Sequence, residues 1–565
     1  MNRPSILTIL TVLTAIGGVV TAGCTSSDDN ATATRDEQSA PSTIPPAPLS
    51  APLSAPLPDL QDTDEFVSAQ IRAQHTSMLT VLETAQTTPA TRAEAYGDLG
   101  KLLMAAALLD AAEPYFLQAQ TQLPNDTRWP YYLGHLYTTQ GELEKSVAAF
   151  EEVLRLTPDD AVTMISLGDV HLLQGQPEAA EVLFRRQLTL QPNSIVANVG
   201  LGRAALAKND YEGAVRHLEE GLRLSNQTAV GVHYPLALAY RGLGQQEKAE
   251  EHLRQRVDSR VLPSDPLIEE LGDLLESPGA YEGRGNRALS DRQWDIAAAH
   301  FRRGLALEPD NPIMRHRLGT ALFQSGDPGG AAAQWEQVVQ TTPNFALAHY
   351  SLAILLEGAG LREDAIQHFE TAVLHEPSYV EARLGLAALL RRNGRLEESL
   401  FHYEEVTEQA IRGDPQFEEA PFGAAVTLVQ LGRYTEARDR LMSGMAEYPG
   451  TPFFAHALAR LLSGAPDSAV RDGQEALSLL QNLPAELQRL DGGETLAMTL
   501  AELGQFTEAV AIQRQAVTMA TQGQRNDLLP SMQAKLRRYE SGRPWRNADP
   551  VEFDPFLERS ASAGS

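Results

Sequence analysis

Across 565 residues the sequence holds a single cysteine, Cys24. One thiol excludes an intrachain disulfide, a zinc knuckle built on cysteine pairs and a CxxCH haem attachment. Aromatic residues make up only 6% of the chain, which favours small-residue packing between helices over a sheet sandwich, where aromatic and β-branched side chains dominate. Positive charge is scarce: 46 Lys and Arg stand against 74 Asp and Glu, for a formal net charge of −28. Such a surface repels polyphosphates and anionic headgroups, so nucleic acid is not an expected partner. Beyond the first two dozen residues no window is apolar enough to span a bilayer.

Catalytic signatures are missing too. There is no HExxH and no GxSxG, and carboxylate pairs are too common in so acidic a chain to single any out. "GLGRAA" (Gly200 to Ala205) and "GRGNRA" (Gly283 to Ala288) imitate a dinucleotide-binding loop, but a working loop needs a strand before it and a helix starting within it. Both fall inside helical patterns, so packing explains their glycines. His368 and His375 could share a helix face with Glu376, yet two imidazoles do not close a metal site. The thirteen histidines are expected to face solvent. No catalytic residue, cofactor or metal is expected, and the chain is read as non-enzymatic.

What is present begins with "MNRPSILTILTVLTAIGGVVTAGC": a basic start at Arg3, an apolar stretch of about 15 residues, then small residues before Cys24. The stretch is shorter than the roughly 20 residues of a membrane-spanning helix and reads as an export signal over 1–23. Ala22, Gly23 and Cys24 resemble the lipobox of bacterial lipoprotein precursors, although Thr21 stands where that family usually has Leu. The resemblance implies lipidation of Cys24. Thr25, in place of an Asp, implies the outer membrane, facing the periplasm. An ordinary secretory signal with a chance cysteine is the alternative. Residues 24–60, ending in "APLSAPLSAPLP" (Ala47 to Pro58), are rich in Pro, Ser and Ala and read as a disordered tether. A capping helix is expected over 61–92, with Asp64 as N-cap and Phe66, Ile71, Met78 and Leu82 on one apolar face.

The rest is periodic. Leu133-Gly134 and Leu167-Gly168, Phe150 and Phe184, Pro158 and Pro192 are each 34 residues apart. With its Leu-Gly, Ala, Phe and Pro positions, this pattern resembles the tetratricopeptide repeat family over about residues 93 to 520. The resemblance implies an all-α fold: a right-handed superhelical α-solenoid of about twelve repeats, each a helix A and a helix B, with capping helices at both ends. A five-repeat array spans 93–264, a linker with one short helix 265–277, and a seven-repeat array 278–525. A C-terminal cap helix (526–544) and a disordered tail (545–565) follow. Small residues after Leu, such as Gly100, Gly134, Gly168 and Gly285, let helix A approach its partner. Large residues such as Phe116, Phe150, Phe184, Phe301 and Trp335 fill the space between.

In this family helix A lines a concave groove, and five of its positions face the ligand. Carried onto this chain, position five gives Tyr131, Tyr234, His316, Tyr350 and Phe422; position nine gives His135, Asp169 and Arg203; positions twelve and thirteen give Phe323, Arg391 and Arg392. Aromatic area with interleaved polar donors suits recognition of a protein or extended peptide. The tyrosines at position five could equally pack on the next repeat. The resemblance therefore implies a protein-binding scaffold held to a bacterial membrane by a lipid anchor. An accessory role in outer-membrane polysaccharide export or pilus and secretin assembly is a second reading.

Overall fold

A computed structural model describes residues 57–225, 230–255, 264–409, 414, 417–483, 490–523, 525 and 528–546. The leader, Cys24 and the tether up to residue 56 lie outside the described residues, as does the tail from 547 onward. Among the described residues there are 27 α-helices and no strand. None of these helices is long and apolar enough to cross a membrane.

The chain divides into two compact units, residues 1–280 and 281–565. In the first, a cap helix, Glu65–Glu83, precedes five helix pairs, and each helix packs on the next along the chain. Their A helices are Pro89–Ala105, Arg128–Gln140, Ala161–Leu173, Ile195–Ala207 and His233–Gly242. One further helix, Pro266–Leu274, follows the fifth pair. Asp64 caps the first helix, accepting from the Phe66 and Val67 amides. Ile71 and Met78 are buried there, whereas Phe66, expected on the same face, is 37% exposed.

The second unit repeats the scheme. Its A helices include Pro312–Gln324, Ala346–Gly358, Val380–Arg392, Glu419–Gln430 and Pro452–Gly464, and Leu529–Glu540 ends the run. Both units are thus α-solenoids of stacked helix pairs, in which no pair buries its apolar stripe alone.

Close approach explains the small residues. A Cβ added at Gly134, Gly168 or Gly285 would lie 2.5 Å from the ring of Phe150, Phe184 or Phe301, respectively. Phe184 is held from two sides, since a Cβ on Gly200 in the next repeat would come within 2.7 Å of the same ring. Both glycines of "GLGRAA" sit mid-helix, Gly202 against Leu218. Packing fixes them, and no phosphate-cradling turn exists there.

Candidate functional site: the A-helix face of the first unit

The helix Pro266–Leu274 decides what this face looks like. Asp265 caps it, accepting from the Ile268 amide at 3.2 Å, and Pro266 occupies its first turn. Leu267, Ile268, Leu271 and Leu274 form one stripe. A linker helix with such a stripe needs a surface to cover, and it finds one far back in the sequence. It packs on the helix Pro89–Ala105, with Leu271 only 4% exposed in the same apolar cluster as Tyr96, Leu99 and Tyr132. Leu267 and Ile268 also touch the cluster around Tyr131 and Phe150.

Polar contacts run its whole length. At its N-terminus the Tyr131 hydroxyl donates to Asp265 Oδ2 at 2.5 Å, and His135 Nε2 lies 3.8 Å from the same oxygen. Tyr132 donates weakly to the Leu267 carbonyl at 3.3 Å and approaches Glu270 Oε2 at 3.4 Å. Lys101 Nζ reaches Glu270 Oε1 at 2.9 Å and Asp98 at 3.0 Å. At the far end Gln70 holds the backbone with both halves of its amide. Its Nε2 donates to the Leu274 carbonyl at 2.6 Å, and its Oε1 accepts from the Glu276 amide at 3.0 Å.

The electrostatics follow from this enclosure. Burial, with Asp265 as hydrogen-bond partner, pushes the Tyr131 phenol well above its ordinary range. Burial lowers the His135 imidazole to about 4 against the pull of Asp265, so it is neutral at physiological pH. Burial alone would lower Lys101 too, but its hydrogen bonds to Glu270 and Asp98 outweigh that and leave it raised and charged. The face therefore offers one ammonium, two phenols and an amide to the carboxylates and carbonyls of a helix. No activated nucleophile or acid–base pair emerges from it.

The other residues of the expected groove are distributed differently. Next along the first unit, Arg203 Nη1 pairs with Asp169 Oδ1 at 2.6 Å, so these two neutralise one another across adjacent repeats. Tyr234 is 44% exposed. In the second unit, Phe422 is fully buried against Phe454, with ring centroids 5.6 Å apart. His316 is buried, its Nε2 2.9 Å from Ser351 Oγ and its ring beside Trp335 and Phe345. Tyr350 is half-buried between Phe369 and Tyr379, Phe323 lies against Trp335, Arg391 is buried, and Arg392 pairs with Glu357. Tyr131 and His135 converge on Asp265 at the start of Pro266–Leu274, and His316 and Phe323 converge on the Trp335 ring; both objects are part of this chain.

Sequence reasoning missed Gln70, Lys101 and Tyr132. Lys101 had a signal: it stands 34 residues before His135, at position nine of the first repeat. The histidines are a correction as well. His233, His316, His349 and His456 are all buried rather than solvent-facing. Nδ1 of His233 meets Nδ1 of His252 at 2.9 Å, and His349 meets His368 at the same distance and the same separation of 19 residues. Such pairs lie where helix A meets helix B, with one imidazole donating to the other. Among the described residues no three His, Cys, Asp or Glu side chains are grouped as metal ligands would be.

Comparison with known proteins gives a uniform result. A family model for the Protein kinase G tetratricopeptide repeat matches residues 20–259. Two further tetratricopeptide repeat models match residues 283–349 and 350–410, and 494–522. No curated protein matches the sequence significantly. Among solved structures, MamA 41-end from Desulfovibrio magneticus RS-1 is 20% identical, covering 29% of this chain and 92% of its own, with a TM-score of 0.28. A tetratricopeptide repeat protein from Parabacteroides merdae ATCC 43184 is 16% identical over 45% of this chain and 92% of its own, with a TM-score of 0.30. The P58(IPK) TPR domain is 14% identical over 74% of this chain and 98% of its own, with a TM-score of 0.25.

Proposed function

Because the chain belongs to the tetratricopeptide repeat family, we propose that it is a non-catalytic scaffold that binds a protein or peptide partner on its A-helix face. The observation that carries this reading is the seating of Pro266–Leu274. Side chains on the cap helix and the first two A helices, Gln70, Lys101 and Tyr131, hold a polypeptide segment by its carboxylates and its backbone. A surface that holds one helix this way has the donors and the apolar area to hold another.

The same proposal places the scaffold at a bacterial envelope, tethered by lipid on Cys24. Residues 1–24 support this by their basic start, apolar stretch and small residues before the cysteine. Two or more acyl chains would anchor it stably where one is marginal. The proline-rich stretch that follows would let the repeats search away from the surface. Changing Cys24→Ser should move the protein from the membrane fraction to the soluble fraction; retention in the membrane would contradict the anchor. For the binding reading, a pull-down from envelope extract with the purified full chain should retain a discrete partner. Changing Arg203 and Tyr234 of the first unit together to Ala should weaken that capture, and an unchanged yield would count against the face.

A further inference from the structure

We infer that the A-helix face of the first unit is a receptor for a short acidic amphipathic helix, and that residues 264–276 are its resident occupant, which a partner of the same chemistry has to displace. This rests on the scaffold reading above and specifies its ligand. Four features of the seated segment define what the face accepts. Its N-cap carboxylate, Asp265, is received by the Tyr131 hydroxyl. One turn on, Glu270 is received by the Lys101 ammonium. The stripe that includes Leu267, Ile268 and Leu271 enters the apolar clusters of the first two repeats. The end of the helix is read through backbone alone, by Gln70 on the Leu274 carbonyl and the Glu276 amide. A face that reads the cap, one acidic position, an apolar stripe and the backbone exit recognises a helix of about nine residues, independently of the rest of its sequence.

Displacement is physically reasonable because the occupant is weak alone. Nine residues are below the roughly 12 to 15 at which an isolated helix becomes even marginal in water, so its order is supplied by the face. The Lys101–Glu270 pair is exposed on the glutamate side, at 43%, so solvent screens it and it holds the segment only weakly. The covalent tether gives the segment a high local concentration, which a free partner has to exceed by affinity or by concentration. The segment thus raises the threshold for binding and keeps the apolar face covered until a matching helix arrives.

The test uses the full chain and a synthetic peptide of residues 264–276 carrying a fluorophore. In one variant Leu271→Asp loosens the resident segment; in a second, residues 266–274 are replaced by a Gly/Ser stretch of equal length, which keeps the test open if the first variant misfolds. Both are checked by circular dichroism. The peptide should bind the opened chains at least tenfold more tightly than the unaltered chain, and adding Lys101→Ala and Tyr131→Phe should remove most of that gain. Equal binding to opened and unaltered chains, or none to folded opened chains, overturns the inference. Neither result touches the scaffold reading, which fails separately if the envelope pull-down retains no partner with either form.

Discussion

Two glycines on one turn of helix should respond to the same substitution with opposite signs. Gly283 and Gly285 both lie within the helix Pro278–Ser290. Nothing lies within 4 Å of a Cβ built on Gly283, which is exposed, whereas a Cβ on Gly285 would meet the buried Phe301 ring at 2.5 Å. Ala is favoured over Gly in a helix interior by about 0.5 to 1 kcal/mol, so Gly283→Ala should stabilise by that amount. At Gly285 the same gain is opposed by an overlap of about 1 Å relative to ordinary carbon contacts near 3.5 Å. Overpacking of that kind costs roughly 1 to 3 kcal/mol. Gly285→Ala should therefore destabilise by about 1 to 2 kcal/mol, and the two variants should differ by about 2 kcal/mol or more. Urea unfolding followed by far-UV circular dichroism reads the helix content. Tryptophan fluorescence, to which Trp294 at the start of the partner helix Trp294–Leu307 contributes with the chain's three other tryptophans, supplies a second signal where a repeat array unfolds in steps. If Gly285→Ala proves as stable as Gly283→Ala, the account of these glycines as seats for the next helix's aromatic ring is wrong.

Near the end of the chain, Lys535 and Glu494 form an ion pair at 2.7 Å with side chains only 1% and 3% exposed. Lys535→Met should cost about 3 to 5 kcal/mol by leaving a buried carboxylate without its cation, and adding Glu494→Gln should recover part of the loss; thermal melts of the single and double variants check this. Acid should weaken the second unit through His316. Burial, with the Arg317 guanidinium nearby, lowers its imidazole from 6.5 to about 4, so the folded state prefers it neutral and the unfolded chain takes up the proton first. Its contribution is therefore complete above about pH 6.5 and is lost as pH falls toward 4, by up to about 3 kcal/mol. His316→Gln should flatten the loss of urea stability between pH 7 and pH 4.5 relative to the unaltered chain, and an identical slope would argue against this histidine.

The repeat architecture was legible because it is local. A 34-residue spacing places Leu-Gly, Phe and Pro in fixed relation, and each marks a contact made within one helix pair or with its neighbour, as Gly134 with Phe150 and Gly200 with Phe184 illustrate. The short helix after the fifth pair was also legible as a helix, from Asp265, Pro266 and the leucines behind them. Its destination was not. The contacts of Gln70 with Leu274 and Glu276 join residues more than 200 positions apart, and no periodicity encodes them. The stripe of Leu267, Ile268, Leu271 and Leu274 was the available warning, since a linker exposed to water has no use for one. Histidine burial was hidden for another reason. Composition places histidine between core and surface, and only the repeated 19-residue pairing of His233 with His252 and His349 with His368 reveals a structural position. At position five the tyrosines differ: Tyr350 packs on Phe369 and Tyr379, while Tyr131 donates to Asp265.

In-cell photo-crosslinking tests the scaffold reading most directly. A photoreactive residue at Arg203, on an A helix, is compared with one at Leu374, which is 72% exposed on the B helix Arg362–His375. A scaffold that binds through its A-helix face should give a discrete protein adduct from position 203 and none from position 374. Adducts from position 374 alone, or from neither, would contradict it.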